Sequence, residues 1–369
     1  MISSKNKYFL LASFATTAVV AVLSIYFRGI IDAAIYYEYE QYRITILIFT
    51  TLILIRKDLD HVNTHLDRHH IPQALMRSLI SLPVVAALLP AISVEFFSGL
   101  KAIFICWTIA TASSLYIFIN TRNSDMNFFY ARNFRKLEEA ILLPFLYLIG
   151  ILIYDIYAVV TIIILGLIFY KVNLVNILLQ FKTSINQFLN MRVIAYILVP
   201  IVELYFVSGY SYFNLNDAIS LDLSLKISGF IFIAIQGTLL PILLKSGERI
   251  RLKDFIFLLT ASLTFLWIFS KLNDVFNILV INKFNYDLPT LILILIFIYV
   301  QVQSINYYIA HQFSGLYLLI PVTVKAIFLF FCHTYFIRYD VFDILEYFIF
   351  YYTVTAFLLS FRFKKVIER

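Results

Sequence analysis

Residues 191–253 read MRVIAYILVP IVELYFVSGY SYFNLNDAIS LDLSLKISGF IFIAIQGTLL PILLKSGERI RLK. Two apolar spans stand out, Val193–Tyr212 and Leu225–Leu244, joined by a polar connection that carries Asn214, Asn216, Asp217 and Asp222. Glu203 sits near the middle of the first span. The second closes on Leu239, Leu240 and Pro241 and runs into a basic loop with Lys245, Arg249, Arg251 and Lys253. Each span has the length that an α-helix needs to cross a bilayer, about 20 residues. Working outward, roughly six such spans precede this stretch and roughly six more run from it onward.

The spans are expected at Tyr8–Phe27, Gln41–Ile55, Ser78–Phe97, Leu100–Asn120, Ala140–Tyr154, Ile156–Val175, Val193–Tyr212, Leu225–Leu244, Phe255–Phe269, Leu288–Ala310, Leu316–Ile337 and Val341–Phe361. The first follows Lys5 and Lys7, lacks a small-residue cleavage site and reads as a membrane helix rather than a signal peptide. Composition agrees. Hydrophobic residues make up 62% of the chain and charged residues 14%, against about a quarter charged in soluble domains. Runs such as Leu291–Tyr299 show no alternation, which excludes a transmembrane β-barrel. The fold class expected is therefore all-α and polytopic, with about 12 transmembrane helices.

A net charge of +7 would suggest nucleic acid in a soluble chain, but here the cations sit in short loops. With the N-terminus inside, they favour cytoplasmic segments by roughly three to one, which places both termini in the cytoplasm. Two cysteines, Cys106 and Cys332, lie in spans and form neither a disulfide framework nor a metal pattern. His61, His65 and His69 share the spacing of one helical face, an arrangement also open to metal ligands. A solvated amphipathic segment explains them more simply, and no metal is expected.

Charges inside a membrane are costly, so each is a functional candidate. Glu203 and Lys325 lie deepest in their spans, whereas Arg28, Arg43, Lys226 and Glu346 lie near outer ends, where long side chains reach the headgroups. For Lys325 two readings stand side by side: a cavity cation for an anionic headgroup or diphosphate, or a structural pair with a carboxylate such as Glu203. Gln236, Gln301 and Asn306 join the list as polar groups within spans, where hydrogen bonding between helices is as good an account as substrate contact. The outer-loop acids Asp217, Asp222, Asp274, Asp287, Asp340 and Asp343 are scattered without a catalytic pairing, and no Ser-His-Asp, HExxH or CxxC pattern occurs. The residues favour moving a substrate over converting it.

Several stretches resemble one family. Ser208, Gly209 and Tyr210, then Ala218–Lys226, Ile227, Ser228 and Gly229, then Thr238–Pro241, are similar to the seventh-to-eighth helix region of polysaccharide flippases. That family has an acidic residue in helix seven, a polar turn, an "A-x-K-I"-like helix start and a closing "L-x-P". The opening is similar too, with Lys5 and Asn6, a first helix ending at Arg28, and aromatic residues in Tyr36–Tyr42 before helix two. Asn120, Thr121 and Arg122 followed by Phe128–Glu138 resemble the inner loop between helices four and five. The chain is short for the family, and Ala33–Tyr39 replaces its usual Gly-rich turn.

The family is that of Wzx-type O-antigen or polysaccharide-repeat flippases, in the multidrug/oligosaccharidyl-lipid/polysaccharide exporter superfamily. The resemblance implies two six-helix bundles, residues 1–180 and 181–369, around a central cavity. It implies a transporter, not an enzyme, that moves undecaprenyl-diphosphate-linked oligosaccharide repeats from the inner to the outer leaflet of the bacterial inner membrane by alternating access. Arg28, Arg43 and Lys325 would meet the diphosphate or acidic sugars, with Gln236, Gln301 and Asn306 as polar lining. Glu203 is the candidate for gating or for coupling to a proton or sodium gradient, with no cofactor needed. The implied partners are the lipid-linked substrate, membrane lipids, and a polysaccharide polymerase with its chain-length regulator, and no nucleic acid. The alternative is an O-antigen or capsule polymerase that joins lipid-linked repeats on the periplasmic side, against which the short outer loops argue.

Overall fold

The computed structural model describes residues 22, 25, 26, 29, 30, 32–54, 70–92, 100–120, 174–188, 191–232, 250–276, 287–311, 315–336 and 343–367. The expected spans Tyr8–Phe27 (for the most part), Ala140–Tyr154, Ile156–Val175 (all but its last residues) and the second half of Leu225–Leu244 lie outside the described residues, as do His61, His65 and His69. Among the described residues every regular element is helical and none is a strand. The helices are α1 (Ala33–Leu54), α2 (His70–Ile92), α3 (Leu100–Asn120), α4 (Leu174–Leu179), α5 (Phe181–Phe188), α6 (Met191–Ser208), α7 (Leu215–Ser228), α8 (Leu252–Phe276), α9 (Leu288–His311), α10 (Gly315–Phe331) and α11 (Ile344–Ile367). A 3-10 turn, Gly209–Tyr212, extends α6, and a wide π-helical turn, Cys332–Phe336, extends α10.

Helix α8 shows which solvent the chain is built for. Its buried residues are Leu258, Ser262, Leu266, Ser270 and Asn273, a stripe at helical spacing in which three of the five are polar. Its exposed side carries Leu252, Ile256, Phe257, Trp267 and Ile268. Polar residues inside and large apolar residues outside invert the pattern of a water-soluble helix and suit one that faces lipid. Three described segments are long and apolar enough to cross a membrane, Pro72–Leu89, Leu252–Phe276 and Leu288–Tyr307, with shorter apolar helices beside them. This is a helical membrane protein.

The ends of the helices carry their own signals. Asp287 accepts from the Thr290 N–H at 3.1 Å at the head of α9, and Asp254 accepts from the Arg251 N–H at 3.1 Å at the head of α8. Asp343 and Glu346 close a reciprocal box at the head of α11: the Glu346 N–H donates to Asp343 at 2.7 Å and the Asp343 N–H donates to Glu346 at 3.2 Å. Each carboxylate answers a backbone N–H that the first helical turn leaves without a partner.

The observed helices correct several expected boundaries. The span expected at Gln41–Ile55 begins at Ala33, and the helix expected from Ser78 already includes His70–Arg77. Phe255–Phe269 is a 25-residue helix, Leu252–Phe276. The largest change is at the polar connection, which is helical over residues 215–222. Asn214, with extended backbone, caps α7 by accepting from the Asn216 N–H at 3.1 Å, and Asp217 lies in the first turn. Hydropathy marks where a chain is apolar, whereas helix starts are set by caps, which are polar.

The chain packs as two compact units interleaved in sequence. One comprises Met1–Tyr37, Gly209–Ser314 and Thr323–Arg369; the other comprises Glu38–Ser208 and Gly315–Val322. In the second unit α2 is the hub, packing on α3, α4, α5 and α6. Trp107 Nε1 donates to the Ser78 carbonyl at 2.8 Å, and the Ser78 and Thr111 hydroxyls meet at 2.6 Å. Thr111 donates its one hydroxyl hydrogen to the Trp107 carbonyl at 2.7 Å, so Ser78 is the donor to Thr111. Leu75, Met76 and Ile177 bury together beside this contact.

In the first unit α9 and α11 form the closest pair, with Phe297 edge-on to Tyr352 and the Tyr299 and Ser360 hydroxyls 2.8 Å apart. Here the 3-10 turn runs against the π turn at Gly209. A Cβ built on Gly209 would lie 2.7 Å from His333 Cε1 and 3.3 Å from the Tyr347 hydroxyl. Only glycine fits without displacing the imidazole. Gly209→Ala is expected to cost about 1–3 kcal/mol through overpacking, read as a lower melting temperature in detergent. Adding His333→Ala should recover most of the loss, and an unchanged melt for Gly209→Ala would show that the ring yields freely.

Candidate functional site

The densest polar site described is in the first unit, between the start of α1 and the middle of α7. Because Asn214 starts α7 where it does, Asp222 and Lys226 fall one turn apart on the same face. An acid four residues before a base is the favourable order for a helical ion pair. Lys226 Nζ lies 2.5 Å from Asp222 Oδ2. Tyr36, fully buried in the first turn of α1 and 186 residues away in sequence, donates its hydroxyl to the same Oδ2. Lys226 also donates to the Tyr36 hydroxyl at 2.8 Å, and its ammonium stands 5.2 Å from the centre of the Tyr36 ring. Phenol, carboxylate and ammonium thus close a three-membered ring of charge-assisted hydrogen bonds, in which the carboxylate and the ammonium offset each other's charge.

The residues singled out in sequence have the following places. Arg43 forms a pair within α1: its Nε and Nη2 donate to Glu40 Oε2 at 3.0 and 2.9 Å, and Glu40 is only 1% exposed. Lys325, half-buried in α10 four residues after Pro321, stands 4.1 Å above the centre of the Tyr351 ring, a cation–π contact within the first unit. Glu203 is half-buried in α6, three residues after Pro200. Gln301 is half-buried in α9. Asn306 grips the backbone of Ile250, accepting its N–H at 2.8 Å and donating to its carbonyl at 3.3 Å. Arg28 and Gln236 lie outside the described residues.

Sequence reading named Asp222 and Lys226 singly, one as part of a connection and one as a headgroup anchor, and missed both their union and Tyr36. The signal for the pair was present: Asn214 and Asp217 at capping spacing, then acid and base at i and i+4. For Tyr36 no local signal exists, because its partners come from the other half of the chain. Among the described residues no group of three or more His, Cys, Asp or Glu is placed to hold a metal ion.

Comparison of the chain with protein-family models, with curated proteins and with solved structures returns no match. The functional reading therefore rests on the chemistry of these groups. Tyr36→Phe, which deletes a buried hydroxyl bonded to two charged partners, is expected to destabilise by about 1.5–3 kcal/mol. In a double-mutant cycle with Asp222→Asn the losses should fall short of additive by about 0.5–3 kcal/mol. Additive losses in denaturant or thermal unfolding would show that the two side chains act separately. Asn306→Ala, which strips two bonds from the Ile250 backbone, should lower the melting temperature while Gln301→Ala leaves it nearly unchanged.

Proposed function

We propose that this chain is a flippase of the bacterial inner membrane, carrying undecaprenyl-diphosphate-linked oligosaccharide repeats, of O-antigen or capsule type, from the inner to the outer leaflet. The full proposal has about twelve spans in two six-helix bundles, residues 1–180 and 181–369, with both termini cytoplasmic and a hydrophilic cavity between them. A cavity of this kind spares the sugar hydroxyls from hydrocarbon while the polyprenyl tail stays in lipid.

The observation that carries the reading is the Tyr36–Asp222–Lys226 cluster. Ionised groups inside an apolar helical chain are expensive, and apolar side chains of similar size would serve stability as well or better. Their presence is best explained by work on a charged or polar cargo. Two further features support transport over catalysis. Pro200 in α6 and Pro321 in α10, the latter followed by the π turn, interrupt the hydrogen-bond ladders of two apolar helices and let them bend, as alternating access requires. Three of the acids expected in outer loops have structural employment: Asp287 and Asp343 cap helices, and Asp274, in the last turn of α8, pairs with Lys271 at the surface at 3.2 Å.

In this reading Arg28, Arg43 and Lys325 attend the diphosphate linkage, Gln236 and Gln301 line the route, and Asn306 contributes through the Ile250 backbone it holds. Glu203 gates the path or couples it to a proton or sodium gradient. The cargo passes on to a polymerase and its chain-length regulator.

Deletion of the gene is expected to abolish surface polysaccharide and to trap complete single repeats on the cytoplasmic side. Lys325→Ala and Arg28→Ala should restore less than about a tenth of the polysaccharide that the wild-type gene restores, the scale of losing one charge-assisted contact. Single repeats that reach the outer face without being joined would overturn the proposal in favour of a polymerase.

A further inference from the structure

Two donors, the Tyr36 hydroxyl and the Lys226 ammonium, converge on a single anionic oxygen, Asp222 Oδ2. Convergent donors of this kind, one neutral and one cationic, are also what recognises a phosphate oxygen. The two sides of the ring differ in freedom. Tyr36 is 0% exposed, whereas the Lys226 and Asp222 side chains are 21% and 12% exposed. An incoming group can therefore reach the ammonium while the phenol stays fixed. Asp222 and Lys226 are side chains of one helix, so the carboxylate leaves by rotating about its own χ angles, and α7 need not move.

We propose that Tyr36 and Lys226 form an oxyanion site for a diphosphate, and that Asp222 occupies it at rest as a built-in substitute for the ligand. A diphosphate oxygen takes the place of Asp222 Oδ2, accepting from Lys226 and from Tyr36, and the carboxylate turns out of the ring. The helix supplies both the cation and its competitor, so at rest the cation is already paired and does not trap every passing anion. The inference rests on the flippase reading only for the source of the diphosphate, and adds this site to the cations named there. The chemistry is the same for a lipid-linked headgroup and for free pyrophosphate.

A purely structural ion pair makes the opposite prediction for one substitution. If Asp222 competes with the ligand, Asp222→Asn removes the competing charge, keeps the shape and tightens diphosphate binding. If the pair is only structural, the same change leaves binding unaltered or weakens it. The test uses the full chain in vesicles of phosphatidylcholine alone, with radiolabelled inorganic pyrophosphate in equilibrium dialysis and, separately, a polyprenyl diphosphate incorporated in the vesicle. Asp222→Asn is expected to tighten binding by at least about fivefold, the lower bound of a typical coupling between ligands. Lys226→Gln should weaken it by at least as much, and Lys226→Arg should keep it. Asp222→Ser, which also removes the charge, serves if Asp222→Asn does not fold, and a thermal melt of each variant verifies folding.

Tightening seen only with the polyprenyl diphosphate supports the site and assigns it to a lipid headgroup. Tightening seen with both assigns it to the diphosphate itself. Binding that is indifferent to Asp222 or to Lys226 in folded protein overturns the proposal, as does the absence of diphosphate binding in every variant. The flippase reading is decided elsewhere, by the side of the membrane on which lipid-linked repeats accumulate, so either proposal can fail alone.

Discussion

An apolar surrounding offers no water to answer a polar group, and the described parts of this protein are arranged around that demand. Hydroxyls within helices turn back to carbonyls one turn earlier: Thr45 to Gln41, Thr50 to Ile46, Ser224 to Ser220, Ser228 to Ser224 and Ser304 to Val300, all at 2.7 to 2.9 Å. Larger polar groups reach across helices, as Trp107 does to the Ser78 carbonyl. Even the thiol of Cys106 turns toward the Tyr42 carbonyl, 3.9 Å away. The same rule accounts for the acids at the helix heads, where N–H groups outnumber the carbonyls available to them.

Charged groups obey the rule at greater cost. Glu40 is buried and holds Arg43 by two donors, Asp222 is buried and holds Lys226, and Lys325 rests on an aromatic face. Two of these three cations are matched by a carboxylate on their own helix, three or four residues away. Local pairing has a physical advantage during insertion, because each pair cancels its two charges within one helix, before the neighbouring helices have arrived. Tyr36 then adds a contact that only the folded protein can make. It joins the beginning of the chain to its middle through one hydroxyl.

The helical membrane class was legible in the sequence, and the misplaced helix starts share one cause. All of the expected Leu100–Asn120 is helical, and α9 begins at Leu288 as expected, because apolar length and helix coincide there. Where polar residues continue a helix beyond the apolar stretch, as in Tyr36–Tyr42 of α1 and in Asn216–Asp222 of α7, hydropathy stopped too early. That error hid the site, since Asp222 and Lys226 share a face only once α7 is known to be a helix. Asn306 was legible as a polar residue in a span, but its role was not, because Ile250 carries no side-chain signal of being gripped. Contacts between distant parts of a chain leave no mark in local spacing, and the Tyr36 hydrogen bond is of that kind.

The grip of Asn306 on Ile250 bears on how this unit deforms. One amide holds both the N–H and the carbonyl of a residue two positions before α8, so that peptide has lost its freedom to turn with respect to α9. The root of α8 is riveted, whereas most of its length presents bulky apolar side chains outward. Any swing of α8 relative to α9 must then be small at Leu252 and grow toward Phe276, as the displacement of a cantilever grows toward its tip. The helix is 25 residues long, so a few degrees at the clamp become a shift of roughly 2–3 Å at the far end, given a rise of about 1.5 Å per residue.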